Sequence, residues 1–292
     1  MTGELAFIEA LRALAVHPGA RGLDDDAAVI EIGGEALVLT HDAMVEGVHF
    51  LPGQDPADIA WKLVATNVSD LAAKGARPLG VLLGYQLGAD DMRFLGGLKD
   101  ALDHYGAALL GGDTVGGKGP QALGLTAIGV ASVRPVPSRS GARPGHGLWL
   151  TGRLGAAMLG LEALRAGGGD SAAYRRPQAR LAEGLALAPQ VSAMMDVSDG
   201  LLLDARRLAK ASQVTLRIDS QAVPVATPAD RRMEALRWGD DYELLFTLPP
   251  GVEPAAPATC IGTVGEAGDN PVLLDGKPLS SGDIGGFTHS EG

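Results

Sequence analysis

Short acidic side chains recur where apolar runs break off. Asp26 stands beside Ala27-Ala28-Val29-Ile30, Asp42 follows Leu37-Val38-Leu39, Asp113 follows Ala108-Leu109-Leu110, and Asp196 follows Ala193-Met194-Met195. Asp70 and Asp199 extend the series. Aspartate has few rotamers to lose and a strand end is a rigid mount, so the repetition points to carboxylates converging on hard cations such as Mg²⁺. Like charges gathered in one place raise one another's pKa and oppose folding unless cations neutralise them. Ions shared with phosphate oxygens would do so. Taken singly, each aspartate serves as well in capping a helix or forming a turn.

Other segments fit two roles each. Gly111-Gly112-Asp113-Thr114 suits either a loop whose backbone approaches a phosphate or ribose, or an ordinary turn. Gly112 to Gly119 approaches the phosphate-binding P-loop pattern, but it ends in Gly119 where Ser or Thr is required, and a β-rich run follows where a helix is needed. Thr151-Gly152-Arg153-Leu154-Gly155 lacks the spacing of a dinucleotide fingerprint and reads as a tight strand-to-helix turn. Asp196-Val197-Ser198-Asp199-Gly200 leads into a helical pattern, so Ser198 and Asp199 are either caps or groups facing a phosphate–metal complex at a positive helix end. His49, between Val48 and Phe50, is either structural or a substrate contact. Arg139 either meets an anion or is exposed, and Asp240-Asp241-Tyr242-Glu243 is either a solvated loop or part of a site.

The elements that must position these groups alternate between strand and helix. Residues 27–32 and 35–40 are β-rich and flank Gly33-Gly34, a tight hairpin that delivers Asp42 at its exit. A helix capped by Asp55, with Pro56 in its first turn, is predicted to run to about Ala73, with Asp70 on the edge of its apolar face. Strands near 79–87, 107–110 and 121–133 and a helix opened by Asp90-Asp91 complete the first part. The second restarts with a strand at 148–151, a helix near 156–166, a strand at 193–195, a helix to about Lys210, and strands at 214–218, 243–248 and 259–264. This is an α/β (α+β) pattern. The Pro- and Gly-rich stretch 134–147 marks a boundary, giving domains 1–137 and 138–292.

Composition narrows the partners. The chain has 292 residues, 46% hydrophobic, enough for two cored domains. Its net charge of −11, with no Lys/Arg run, argues against nucleic acid, so an anionic substrate would arrive with metal. A single cysteine, Cys260, excludes an intrachain disulfide and leaves a Cys-based zinc site unsupported. The N-terminal pattern is an amphipathic helix rather than a signal peptide, and no apolar stretch is long enough for a membrane span. The expectation is a cytoplasmic protein.

Asp25-Asp26-Ala27-Ala28, the run from His41 to Phe50, Asn67-Val68-Ser69-Asp70-Leu71-Ala72-Ala73-Lys74-Gly75-Ala76, Gly111 to Thr114, Ser138-Arg139-Ser140-Gly141, Asp196 to Leu201 and Asp241 to Thr247 occur in one order. Together they resemble the ordered motifs of the thiamine-monophosphate kinase family. The resemblance implies the two-domain fold shared with aminoimidazole ribonucleotide synthetase and selenophosphate synthetase, with homodimerisation through a mixed N-terminal sheet. It implies transfer of the ATP γ-phosphoryl group to thiamine monophosphate. Position by position, it makes Asp26, Thr40, His41, Asp42, Asp70, Asp113, Asp196 and Asp199 the Mg²⁺ ligands. Gly112, Asp113, Arg139 and Ser198 would contact ATP, and His49, Asp240 and Phe287 would line the thiamine-phosphate pocket. Asp24 departs from the family pattern, standing where Gly is usual. His41 stands for Thr, where a backbone contact would tolerate the change, and Asp240 for Glu. A phosphate monoester is largely ionised at neutral pH, its second pKa lying near 6, so no catalytic base is expected.

Overall fold

The computed structural model describes residues 4–279 and Gly285. Its first part runs α1 (Glu4–Arg12), β1 (Ala28–Ile32), β2 (Glu35–Val45), α2 (Pro56–Ala73), β3 (Ala76–Gln86), α3 (Asp91–Tyr105), β4 (Ala108–Val115) and β5 (Ala122–Ala131). The second runs β6 (Gly147–Thr151), α4 (Ala156–Arg165), α5 (Ala172–Arg175), α6 (Leu181–Leu187), β7 (Ala193–Val197), α7 (Leu201–Ser212), β8 (Thr215–Ile218), α8 (Arg232–Arg237), β9 (Glu243–Leu248), β10 (Ala258–Gly265), β11 (Val272–Leu274) and β12 (Lys277–Pro278). Five strands form a mixed sheet in the order β1-β2-β5-β3-β4, and seven form a second in the order β12-β11-β8-β10-β6-β9-β7.

The β1–β2 hairpin closes where expected, with Ile32 opposite Glu35 and Gly33 and Gly34 at φ 60° and 86°. Those angles match the twist of the flanking strands and exclude most other residues. Three strands are differently extended from their predicted limits. β2 continues to Val45 because β5 pairs with it as far as Val45↔Ala122, so Asp42 lies inside the ladder opposite Leu125 rather than at an exit. β4 likewise continues through Gly111 and Gly112 alongside β3, and Asp113 faces Gly84 within it. Asp196 is inside β7, opposite Leu244. A neighbouring strand supplies hydrogen-bond partners that a local apolar run does not reveal.

α2 organises the molecule. Asp55 caps it by accepting from the Ala57 N–H at 2.9 Å, and Pro56 occupies its first turn. The expected half-apolar face is instead a helix buried almost all round, because α2 packs on the first sheet and also against β7, α5 and α6 of the second part. Glycines permit the closest approaches: a Cβ on Gly97 of α3 would lie 2.2 Å from Ala57 O, and one on Gly184 of α6 would lie 2.1 Å from Ala72 O. Ala72 and Ala73 of α2 join Leu187, Met194, Leu244 and Phe246 in a core shared by both parts. Asp70, Lys62 and Lys74 are thereby held between the two sheets.

Candidate active site

Three elements bring the buried carboxylates together. Asp26 enters at the start of β1, Asp70 projects from α2 and Asp196 from β7, and one oxygen of each lies within 4.8 Å of the others. Neighbours aim them: the Thr40 hydroxyl donates to Asp70 Oδ2, and the Ser69 hydroxyl donates to Asp196 Oδ2 at 2.6 Å. Asp42 shares the Thr40 face of β2 by strand alternation, and its amide donates to Asn67 Oδ1 at 3.0 Å. Burial, then the charges of Asp42, Asp196 and Asp26, pushes Asp70 well above the usual carboxylate range. Burial, followed by Asp26, pushes Asp196 up to about 8. Asp42 rises to about 6 through burial and the charges of Asp199 and Asp26, against the pull of His41. Such a group is a charge deficit waiting for a cation.

The cations already present lie on one side. Arg139 donates from Nε to Asp26 Oδ1 at 2.7 Å, and Lys74 Nζ is 2.5 Å from Asp26 Oδ2 without forming an aligned hydrogen bond. Lys74, fully buried, also holds Asp25 and reaches Met194 O at 3.3 Å. Asp25 takes Arg21 as well, and although burial opposes it, Lys74 and Arg21 hold its carboxyl below the usual range. Asp24, the extra carboxylate of this run, pairs with Arg12 and so ties α1 to the loop before β1. It has no place in the carboxylate cluster.

A second group lies beside the first. Asp240 accepts from Lys62 Nζ at 2.8 Å and from the Tyr242 hydroxyl at 2.9 Å. Lys62 also donates to His49 O at 3.0 Å, and the His49 ring accepts the Val45 N–H at Nδ1. Tyr242 joins the two groups: burial first, then Asp240, Asp42 and Asp196, raises its hydroxyl well above the ordinary pKa.

Not every expected residue joins these clusters through its side chain. His41 points to the opposite face of β2, where Nδ1 meets Thr126 Oγ1 at 2.9 Å, so its ring stands apart from the carboxylate cluster. Asp113 lies on exposed β4 and accepts its neighbour Thr114 N–H. Gly112 is explained locally, because a Cβ there would sit 1.9 Å from Leu83 O; the segment is a strand, not the expected loop. α7 has Gly200 at its N-cap, so Ser198 and Asp199 precede the cap. Ser198 O accepts the Asp240 N–H at 2.8 Å, and Asp199 pairs with Arg207 at 2.5 Å. Phe287 lies outside the described residues. Sequence reasoning gave no role to Asp25, Ser69 and Lys74, which stood only within its motifs, and missed Lys62 and Tyr174; Lys62 carried a local signal, standing between Trp61 and Leu63 in α2, where a charge needs a partner.

Family models for the AIR synthase related protein match the chain, the N-terminal domain over residues 24–131 and the C-terminal domain over 143–268. The thiamine-monophosphate kinase of Escherichia coli (strain K12) is 36% identical, over 92% of this chain and 91% of its own length. That of Caulobacter vibrioides is 37% identical, over 85% of this chain and 79% of its own. Among solved structures, AaThiL complexed with AMPPCP and TMP is similar with a TM-score of 0.88 at 31% identity, covering 98% of this chain and 97% of that chain. Hydrogenase maturation protein HypE, with a TM-score of 0.70 at 22% identity over 96% of each chain, shares the fold. The buried aspartates, the two-sheet architecture and the length-spanning identity agree: the chain belongs to the thiamine-monophosphate kinase family and has the two-domain AIR synthase related fold.

Proposed function

We propose that the protein transfers the γ-phosphoryl group of ATP to the phosphate of thiamine monophosphate by direct in-line displacement, giving thiamine diphosphate and ADP. The observation that carries this reading is the convergence of Asp26, Asp70 and Asp196 beside Arg139 on one side and the His49–Lys62–Asp240 group on the other. Family membership supports it, as does a relative solved with an ATP analogue and TMP.

The cluster offers only oxygen donors, buried and short of positive charge, which fits Mg²⁺ better than a metal preferring imidazole or thiolate. Asp26, Asp70 and Asp196 would hold one ion. Thr40, Asp42, Asp113, Asp199 and the His41 carbonyl would supply oxygens to others. Bound there, Mg²⁺ would neutralise charge on the phosphates being joined. The chain's own work is positioning. Arg139, Gly112, Asp113 and Ser198 would orient ATP, while His49, Asp240 and Phe287 would orient the acceptor so that its oxygen lies in line with the γ-phosphorus. The acceptor is already ionised near neutral pH and no side chain has to remove a proton.

Three further readings accompany this one. Every residue of edge strand β4 is exposed, including Leu109, Leu110 and Val115, and Leu79 and Leu82 of β3 are exposed beside it. We infer that a second copy of the chain covers this face, making a homodimer. We also place the domain division at 137/138, between the two family-model matches, and the protein in the cytoplasm, where its nucleotide substrate is made available. None of its described helices is long and apolar enough to cross a membrane.

The deciding experiment incubates purified protein with ATP, Mg²⁺ and thiamine monophosphate and follows thiamine diphosphate and ADP. Stoichiometric formation of both is expected. Folded, ATP-binding protein that yields no thiamine diphosphate at saturating substrates overturns the assignment.

A further inference from the structure

We infer that Lys62 is the positioning residue of the acceptor pocket, a single buried ammonium that clamps His49 and Asp240 together across the two halves of the chain. This rests on the acceptor-side roles proposed above for His49 and Asp240. Lys62 projects from α2 and is 1% exposed at its side chain. Its Nζ donates to Asp240 Oδ2 at 2.8 Å and to His49 O at 3.0 Å, and lies 4.0 Å from the Tyr174 ring centroid. An ammonium has three N–H bonds. Two carbonyl-type oxygens and one aromatic face therefore account for all of them, and the charge is matched by the Asp240 carboxylate and the ring's negative face. Lys62 has no donor left for substrate, which makes it a residue that acts through others.

The loop it grips needs such a grip. Asp240 and Tyr242 both have left-handed backbones, φ 63° and 53°, conformations that cost side-chain-bearing residues free energy and persist only where surroundings impose them. The loop is seated on the 196–200 segment through Asp240 N–H to Ser198 O at 2.8 Å and Tyr242 N–H to Val197 O at 2.9 Å. A Cβ on Gly239 would meet Ser198 O at 2.2 Å, so the seat is close. Those bonds fix the backbone; Lys62 and the Tyr242 hydroxyl fix the carboxylate, one on each Asp240 oxygen. On the other side the Tyr174 hydroxyl donates to the same His49 carbonyl at 3.2 Å. One cation from the first half thus registers α5 and the 239–242 loop of the second half against the His49 segment. Asp240 has a shorter reach than Glu, so its placement depends on where that cation stands.

The test is steady-state kinetics of full-length Lys62→Met, Lys62→Arg, Asp240→Asn and the Lys62→Met/Asp240→Asn double variant. Lys62→Met is expected to raise KM for thiamine monophosphate at least tenfold while KM for ATP changes less than twofold. Lys62→Arg, which keeps the charge, is expected to recover most of the loss. The double variant should be no worse than the poorer single one, because both remove the same interaction. If Lys62→Met does not fold, Lys62→Gln takes its place in the same comparison: it should raise the thiamine-monophosphate KM and spare that of ATP, with Lys62→Arg again close to the wild type. An active wild type whose Lys62 variants change both KM values equally, or whose defects multiply with Asp240→Asn, overturns the clamp alone. A folded, ATP-binding wild type that makes no thiamine diphosphate overturns the kinase reading and the clamp with it.

Discussion

Asp42 sits inside β2 with its amide on Asn67 and its carboxylate near those of Asp199 and Asp26, and burial with these neighbours pushes it up to about 6. Its charge therefore works against the fold while serving any cation in the site. Asp42→Asn keeps the shape and removes the repulsion, so unfolding should show a midpoint equal to or above that of the wild type. Turnover with ATP and thiamine monophosphate should fall by about 100-fold or more, the scale seen when one preorganised electrostatic partner is lost. Near-normal turnover would remove Asp42 from the proposed metal set. The acidic side of this site was legible because strand-flanking carboxylates repeat in the sequence, whereas the partners of the lysines were not. Lys62 meets Asp240, 178 positions later, and Lys74 meets Asp25, 49 positions earlier. No local pattern states such partners.

At the scale of elements, what was legible is what short-range chemistry dictates. Gly33-Gly34 closes a hairpin, Asp55-Pro56 starts α2, and Asp90 starts α3 by accepting the Arg93 N–H. What was hidden depends on neighbours far along the chain. The length of β4 comes from β3, the all-round burial of α2 comes from being packed between two sheets, and two-residue β12 exists only as the partner of β11. β4 also carries a consequence for assembly. Leu110 is 52% exposed on a strand whose every residue is exposed, an arrangement that invites pairing unless another chain covers it. Leu110→Asp places a charge at that face and should convert a dimer to a monomer, read as a halving of the solution mass by light scattering. A wild-type protein already of monomer mass would refute the assignment of this face.

For the whole molecule, the buried acidic cluster makes stability depend on pH and cations together. Asp42 near 6, Asp196 near 8 and the raised Asp70 all bind protons more tightly folded than unfolded, where the carboxyl value is about 3.8. Between those limits the native state holds more protons than the unfolded chain, so unfolding free energy falls as pH rises. Their contribution is fully present below the unfolded value and lost as pH climbs through the folded ones. Asp25 has the opposite sign, its carboxyl being depressed, but it acts below the ordinary carboxyl value and outside this window. In chelator, Tm should therefore drop between pH 5 and pH 8, by on the order of 5–10 °C if a few kcal/mol are involved. Added Mg²⁺ should restore most of that loss at pH 8, where the carboxylates are ionised and ready to bind, and do little at pH 5, where protons already neutralise them. Calorimetry at both pH values, with chelator and with Mg²⁺, separates this coupling from a general salt effect, which a matched concentration of Na⁺ would reproduce. A Tm that stays flat or rises from pH 5 to pH 8 in chelator, or a Mg²⁺ gain equal at both, would mean that the cluster does not store the repulsion that a bound cation relieves.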